Sequence, residues 1–343
     1  MTSAPDIPLV TAPPHVRLGP HRRHLDRTLL AGLAPVIAVA LWWHGGRAAL
    51  LFGIAGAAGL LGDWAGHFLH RHRRQSRAAH ALTIGFLLVM ILPPATSATA
   101  IGVATAVAAF CSRVLRDRFG SYFWHPVVVA WMIVLLVAPR VPRTGEGVAA
   151  VERPIDLVVR AYVAPPEGGV RRLRNLALYE LPPWDATLIG DVPGGTGATC
   201  GLAILVAGLW LVYVRNLRWQ VPVYALGAAA LAAAVLPVRG PEGAWLWLPI
   251  AQRIDGFPIG MTLLLYHLTG GGLLLAAVFL GADTISTPLN ARGHALFGVG
   301  LGAGTVLLRM LGLPFGACWW ALLVMNTLVP VIDRVTRRRV WGT

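Results

Sequence analysis

The sequence predicts an all-α integral membrane protein of about ten transmembrane helices in two inverted five-helix repeats. Three observations carry that prediction. Arginine collects in alternate gaps between apolar stretches: His70-Arg71-His72-Arg73-Arg74 after the second, Arg113 to Arg118 after the fourth, Arg215 to Arg218 after the sixth, and Arg334 to Arg339 after the last. Cytoplasmic loops carry such excess, so one parity places both termini inside. The composition, 56% hydrophobic and 13% charged over 343 residues, leaves too few charges to coat a soluble chain of this length. Two motifs also recur. Leu82-Thr-Ile-Gly85-Phe-Leu87-Leu88 resembles Leu268-Thr-Gly-Gly271-Gly-Leu273-Leu274, and Arg113-x-Leu115-x3-Phe119-Gly120 resembles Arg309-x-Leu311-x3-Phe315-Gly316. Each pair lies five crossings apart, an odd number, which inverts one copy relative to the other.

Residues 1–27 are rich in Pro and Arg without an apolar core and read as a cytoplasmic tail. The first repeat spans 28–139, with crossings at 28–43, 48–69, 81–97, 98–115 and 123–139. Its third member is a helical run from Ala81 to Leu92 stopped by Pro93-Pro94. A dozen helical residues cover only about 18 Å of a ~30 Å hydrocarbon core. Irregular backbone must complete the crossing, surrounded by protein or water. An outer segment follows at 140–197, hydrophilic and arginine-bearing, which long translocated loops tolerate. The second repeat, 198–333, has crossings at 198–214, 219–237, 260–282, 293–312 and 315–333, before a basic cytoplasmic tail at 334–343. The same parity puts Trp42-Trp43, Trp245/Trp247 and Trp319-Trp320 outside, where an aromatic belt belongs.

All 29 basic residues are arginine, so chemistry that needs a lysine is excluded. The net charge of +14 sits in membrane-facing loops rather than on one amphipathic face, which argues against nucleic acid. Cys111, Cys200 and Cys318 are far apart, without metal or cluster spacing, and read as small core residues.

Three places are candidates for chemistry. Gly194-Gly195-Thr196-Gly197-Ala198-Thr199 opens the sixth crossing from outside. Glycines allow close backbone approach, and a helix start offers unpaired N–H groups and a positive dipole end, which suits a phosphate or a flavin edge as well as a plain helix start. Asp283, Thr284, Ser286 and Thr287, with Asn290 and Arg292, form a dense polar segment on the inner side. Gly270-Gly271-Gly272 ahead of it permits close approach of a backbone or a planar ring. Asp63 and His67 lie one turn apart in the second crossing, either as an ion relay or as a buried ion pair near Arg71 and Arg73. His125, Asp255 and His267 read as satisfied structural groups.

Gly281-Ala-Asp-Thr-Ile-Ser-Thr-Pro-Leu-Asn-Ala-Arg-Gly293, Met325 to Arg337 and Val192-Pro-Gly-Gly-Thr-Gly-Ala-Thr199 resemble the signatures of one membrane-subunit family. It comprises the D subunit of the Rnf electron-transport complex and the B subunit of the sodium-pumping NADH:quinone reductase. The likeness runs from Leu29 to Gly342. It implies a urea-transporter-like fold in the bacterial cytoplasmic (inner) membrane and partner subunits of an Rnf/Nqr-like complex. It further implies FMN or riboflavin, with FMN esterified through its phosphate to an outer threonine, and coupling of electron transfer to Na⁺ or H⁺ movement.

The chain departs from the family pattern at the attachment sequence. No Ser or Thr lies between Thr144 and Thr187, where the family's attachment point falls. Thr196-Gly-Ala-Thr199 occurs instead where the family usually has Gly-Glu-Thr, which makes Thr199 the one candidate for covalent attachment. The reading is a redox subunit, not catalytic alone, with Thr199, Thr196, Gly194, Gly195 and Gly197 as the outer flavin contact and Asp283, Thr284, Ser286 and Thr287 as an inner site. The alternative is a transporter-like or structural subunit of the same fold without covalent flavin.

Overall fold

A computed structural model describes residues 22–69, 78–138, 175–236, 258–281, 283–313 and 316–336, with 238–239, 245–246, 253 and 256. The regular elements among them are helices, apart from a two-residue antiparallel ladder, Val238–Arg239 against Trp245–Leu246, with turns and loops between. In chain order the helices are α1 (Arg22–Gly32), α2 (Ala34–Leu69), α3 (Ala78–Ile91), α4 (Ala98–Phe119) and α5 (Pro126–Val137). A π-helical turn, Leu176–Glu180, and a short α6 (Trp184–Ile189) lead to α7 (Gly201–Tyr213) and α8 (Gln220–Val235). Then come α9 (Ile259–Thr269), α10 (Leu273–Leu280, its last part π-helical), α11 (Ala291–Met310) and α12 (Ala317–Thr336).

Among the described residues, α4, α12 and the run His24–Phe68 are long and apolar enough to cross a membrane. The bent pair α9–α10, turned by 51°, is a fourth, and α3, α5, α7 and α8 are shorter apolar helices. At 45 residues, the run His24–Phe68 is about twice the length one crossing needs. It is kinked at Gly45, whose φ of 51° and ψ of −135° lie outside the helical region. α3 ends before Pro93-Pro94, as the sequence predicts.

Small residues let the helices approach. A Cβ at Gly62 of α2 would collide with the Ala106 carbonyl oxygen of α4, and one at Gly302 of α11 would collide with that of Ala225 in α8. These two helix pairs, α2–α4 and α8–α11, are the most extensively packed in the molecule. Lipid offers no hydrophobic drive between helices, so close backbone contact of this kind carries the association.

Side-chain contacts sort the chain ends. Asn216 donates to the Leu25 carbonyl at 3.0 Å and Thr28 at 2.9 Å. Arg116 reaches His80, which faces Asp26. Arg116 and the segment beside Arg215 therefore share one end of the bundle. At the opposite end Trp43 donates to the Ile189 carbonyl, and Arg47 donates to those of Pro94 and Thr96.

The predicted aromatic belt needs correction at Trp319-Trp320. Trp42 is exposed, but Trp319 is buried, because Gly272 leaves a slot for its indole: a Cβ there would lie 2.7 Å from the ring. Trp320 packs edge-on against the buried Trp131. The planar ring that the glycine triplet admits is thus the chain's own. Trp247 and Asp255 lie outside the described residues.

Candidate functional site

Pro93 and Pro94 lack N–H groups, so carbonyls at the end of α3 lose their helical partners. The glycine-rich turn supplies replacements. Thr196 N–H donates to the Leu92 carbonyl at 2.8 Å, and its hydroxyl donates to the same oxygen at 2.8 Å. Gly197 and Ala198 N–H groups both donate to the Met90 carbonyl at 3.1 Å. The glycines make room for this contact: a Cβ at Gly195 would stand 2.5 Å from the Met90 oxygen, and one at Gly197 2.7 Å from the Met90 side chain.

This corrects the expectation of unpaired N–H groups in the turn. Three of its amides are spent on α3, and the helix that follows begins only at Gly201, after Cys200. Thr196 is buried. Thr199 is half-buried, and its methyl group is turned toward Gly194.

The inner segment folds around Asp283. One carboxylate oxygen accepts from the Tyr122 hydroxyl at 2.8 Å and from Ser286 at 2.9 Å; the other accepts from Ile285 N–H at 3.2 Å. His125 Nε2 stands 3.9 Å away, and Thr287 donates its hydroxyl to the Asp283 carbonyl. Asn326 of α12 donates to the Ser286 carbonyl at 3.1 Å and accepts from His125 N–H at 2.9 Å with its amide in the satisfying orientation. Thr284 is exposed, whereas Ser286 and Thr287 are buried. Burial first, and then the Asp283 charge, raise the Tyr122 phenol well above its usual range, so it remains a donor. The segment is a polar knot tying the α4–α5 turn to the α10–α11 loop and α12.

Among the described residues Asp63 and His67 meet Arg113, while Arg71 and Arg73 lie outside the described residues. Arg113 of α4 donates to both Asp63 oxygens at 3.0 and 3.1 Å, to Asp117 at 2.8 Å and to His67 Nδ1 at 3.2 Å. The ion pair is the observed state. The reason is helical register, which places Arg113 opposite Asp63 across the tight α2–α4 contact; a Cβ at Gly66 would lie 2.9 Å from the Arg113 side chain. Arg309, the arginine of the second matching sequence motif, is fully buried and donates to the carbonyls of His267 at 2.6 Å and Gly270 at 2.8 Å, where α9 breaks. His125 caps α5 by accepting from Val127 N–H. Cys200 and Cys318 are buried thiols, and all three cysteines are free.

Residues that sequence reasoning left out carry much of this: Tyr122, Arg113 as the Asp63 partner, Arg47 and Asn326. One signal was present. A Pro-Pro stop inside a membrane helix demands donors from elsewhere.

A family model described as the NQR2, RnfD, RnfE family matches residues 9–342. The chain is 30% identical to the D subunit of the ion-translocating oxidoreductase complex of Stutzerimonas stutzeri, over 94% of this chain and 93% of that protein. It is 26% identical to the D subunit of the Na(+)-translocating ferredoxin:NAD(+) oxidoreductase complex of Acetobacterium woodii, over 97% and 95%. It is 24% identical to the D subunit of the proton-translocating ferredoxin:NAD(+) oxidoreductase complex of Clostridium ljungdahlii, over 77% and 74%. The chain is a membrane protein and belongs to the NQR2, RnfD, RnfE family.

Proposed function

We propose that this chain is the D-type membrane subunit of an ion-translocating electron-transfer complex, working with the other subunits of that complex and not alone. The family match along residues 9–342, with relatives covering 94% and 97% of the chain that bear this role in their names, carries the reading. It operates in a bacterial cytoplasmic membrane with both termini inside. Ten crossings in two inverted halves are supported by the kink at Gly45, the α9–α10 bend and the buried arginine near the end of both α4 and α11.

Flavin is part of the proposal, with a limit set by the turn. A phosphate cradled by backbone amides does not fit there, because the amides of residues 196–198 already hold α3. An ester through the half-buried Thr199 hydroxyl does fit. Bound flavin would supply one- and two-electron chemistry, and this chain would supply position and surroundings. The inner knot around Asp283 would hold the two halves in register at the inner end while electrons and ions move through the assembly.

The test is purification of the tagged full-length chain from its own membranes. Co-purification of the other subunits, and loss of ferredoxin- or NADH-linked ion uptake in vesicles when the gene is deleted, are expected. A chain that purifies alone, with uptake unchanged by the deletion, would overturn the reading. Intact mass and in-gel fluorescence read the flavin separately. A bare mass without fluorescence selects the form of this subunit that has no covalent flavin.

A further inference from the structure

Along the C-terminal half of α2 lies a groove of about 700 Å³, within the ~300–1,000 Å³ typical of small-molecule sites. Leu60, Leu61 and Trp64 give it an apolar wall, with Ala57 beside them and Ala78 where α3 begins. Leu61 and Trp64 are 63% and 60% exposed on a run apolar enough to cross a membrane, so this wall is open to lipid. Asp63, His67 and Arg113 make the polar side.

These three side chains are unequally engaged. Arg113 spends its guanidinium inside the protein, with Nη1 on both Asp63 oxygens, Nε on Asp117 and Nη2 on His67. It is the cation of this wall, and two carboxylates divide it. The buried Asp63 accepts from that one nitrogen among the described residues, and a carboxylate has room for about four donors. An arginine only donates, so His67 accepts at Nδ1 and carries its ring proton at Nε2, which has no partner among the described residues. The groove therefore offers a carboxylate with spare acceptor capacity and, one helical turn along, a neutral donor. A carboxylate in apolar surroundings draws positive charge. An anion would find no free guanidinium N–H on this wall.

We propose that this groove binds an amphiphile with a primary ammonium headgroup, of the phosphatidylethanolamine type. Its acyl chain lies along Leu60, Leu61 and Trp64, its ammonium donates to Asp63, and a phosphate oxygen accepts from His67 Nε2–H. The site requires that the chain sit in a membrane, and it needs neither flavin nor partner subunits. The bound headgroup completes the charge balance that Arg113, divided between Asp63 and Asp117, leaves open at the groove.

The test uses the full-length chain in mild detergent, stripped of lipid and titrated with phosphatidylethanolamine, phosphatidylcholine or phosphatidylglycerol of the same acyl chains. Retained lipid is extracted after washing and quantified by mass spectrometry. Phosphatidylethanolamine should be retained about ten-fold better than phosphatidylcholine, whose trimethylated nitrogen cannot donate, as expected for one charge-assisted hydrogen bond. Phosphatidylglycerol should be retained no better than phosphatidylcholine. Asp63→Asn should erase the preference. Ala57→Trp, which fills the groove from an exposed position and leaves the ion pair in place, should weaken retention of phosphatidylethanolamine without that risk to the fold. Equal retention of the ethanolamine and choline lipids, stronger retention of phosphatidylglycerol, or undiminished binding in Ala57→Trp would each overturn the proposal. Loss of the bound lipid to sodium chloride but not to choline chloride would overturn it too, by marking a plain cation site.

Discussion

Two broken helices in this molecule solve one problem by different means. α3 stops at Pro93-Pro94, and its loose carbonyls receive backbone N–H groups from the turn ahead of α7. α9 stops at Gly270, and its carbonyls receive the guanidinium of Arg309 from α11. Backbone donors bring no charge but require near contact, which is why Gly195 and Gly197 sit where a Cβ would collide with Met90. A guanidinium reaches further and spans two acceptors with its fixed fork, but it brings a charge into the bundle. The first break depends on shape, and the second on one side chain.

The largest expected effect follows from that dependence. Arg309→Leu strips a charged donor from the buried His267 carbonyl, worth about 1–3 kcal/mol when left unsatisfied, and from the part-buried Gly270 carbonyl. The melting temperature in detergent should fall furthest in this variant, and Arg309→Lys should restore only part of it, a point charge being unable to reproduce the fork. An unchanged melt would mean that the α9 break is held by other groups.

Shape is tested at the other break. Gly195→Ala drives a methyl group against the Met90 oxygen and should cost about 1–3 kcal/mol, the usual penalty for overpacking. Gly227→Ala, where nothing lies within 4 Å of the added methyl group, is the control that should melt no lower than the wild type, alanine being the better helix residue. Equal melts for the two would remove the close-contact account of the turn.

The tie between the halves is a smaller term. Tyr122→Phe removes one hydrogen bond to the Asp283 carboxylate, which keeps Ser286 and Ile285 as donors. A loss of about 1–2 kcal/mol at neutral pH is expected, read in the same melts.

The break at Pro93-Pro94 was legible in the sequence, because proline acts on the backbone locally and its effect needs no knowledge of the partner; the break at Gly270 was not, and 260–282 read as one crossing although the structure bends it by 51°. The Asp63 pair was legible as a type of interaction, since a carboxylate in an apolar run must find a cation. Its partner was not, because Arg71 and Arg73 are near in sequence while Arg113 is near in space only through the glycine face of α2. What the amides of Thr196, Gly197 and Ala198 bind was not legible for the same reason. Glycines that admit a ligand and glycines that admit another strand of the chain look alike until the carbonyls of Met90 and Leu92 are placed beneath them. Parity placed Trp319 on the outer side as part of an aromatic belt, and the slot at Gly272 instead buries its ring among the helices.

The finest distinction lies within the turn, between two threonines three residues apart. Thr196 is buried with its hydroxyl on the Leu92 carbonyl, so Thr196→Val should cost about 1 kcal/mol whether or not flavin is present. Thr199 is half-buried beside Gly194, and Thr199→Val keeps its shape, so the melt should not move. Any effect of Thr199→Val should surface instead in intact mass and fluorescence, as loss of an ester-linked flavin. A melt that falls for Thr199→Val while the mass stays bare would make Thr199 part of the α3 cap, and would leave the turn with a structural duty only.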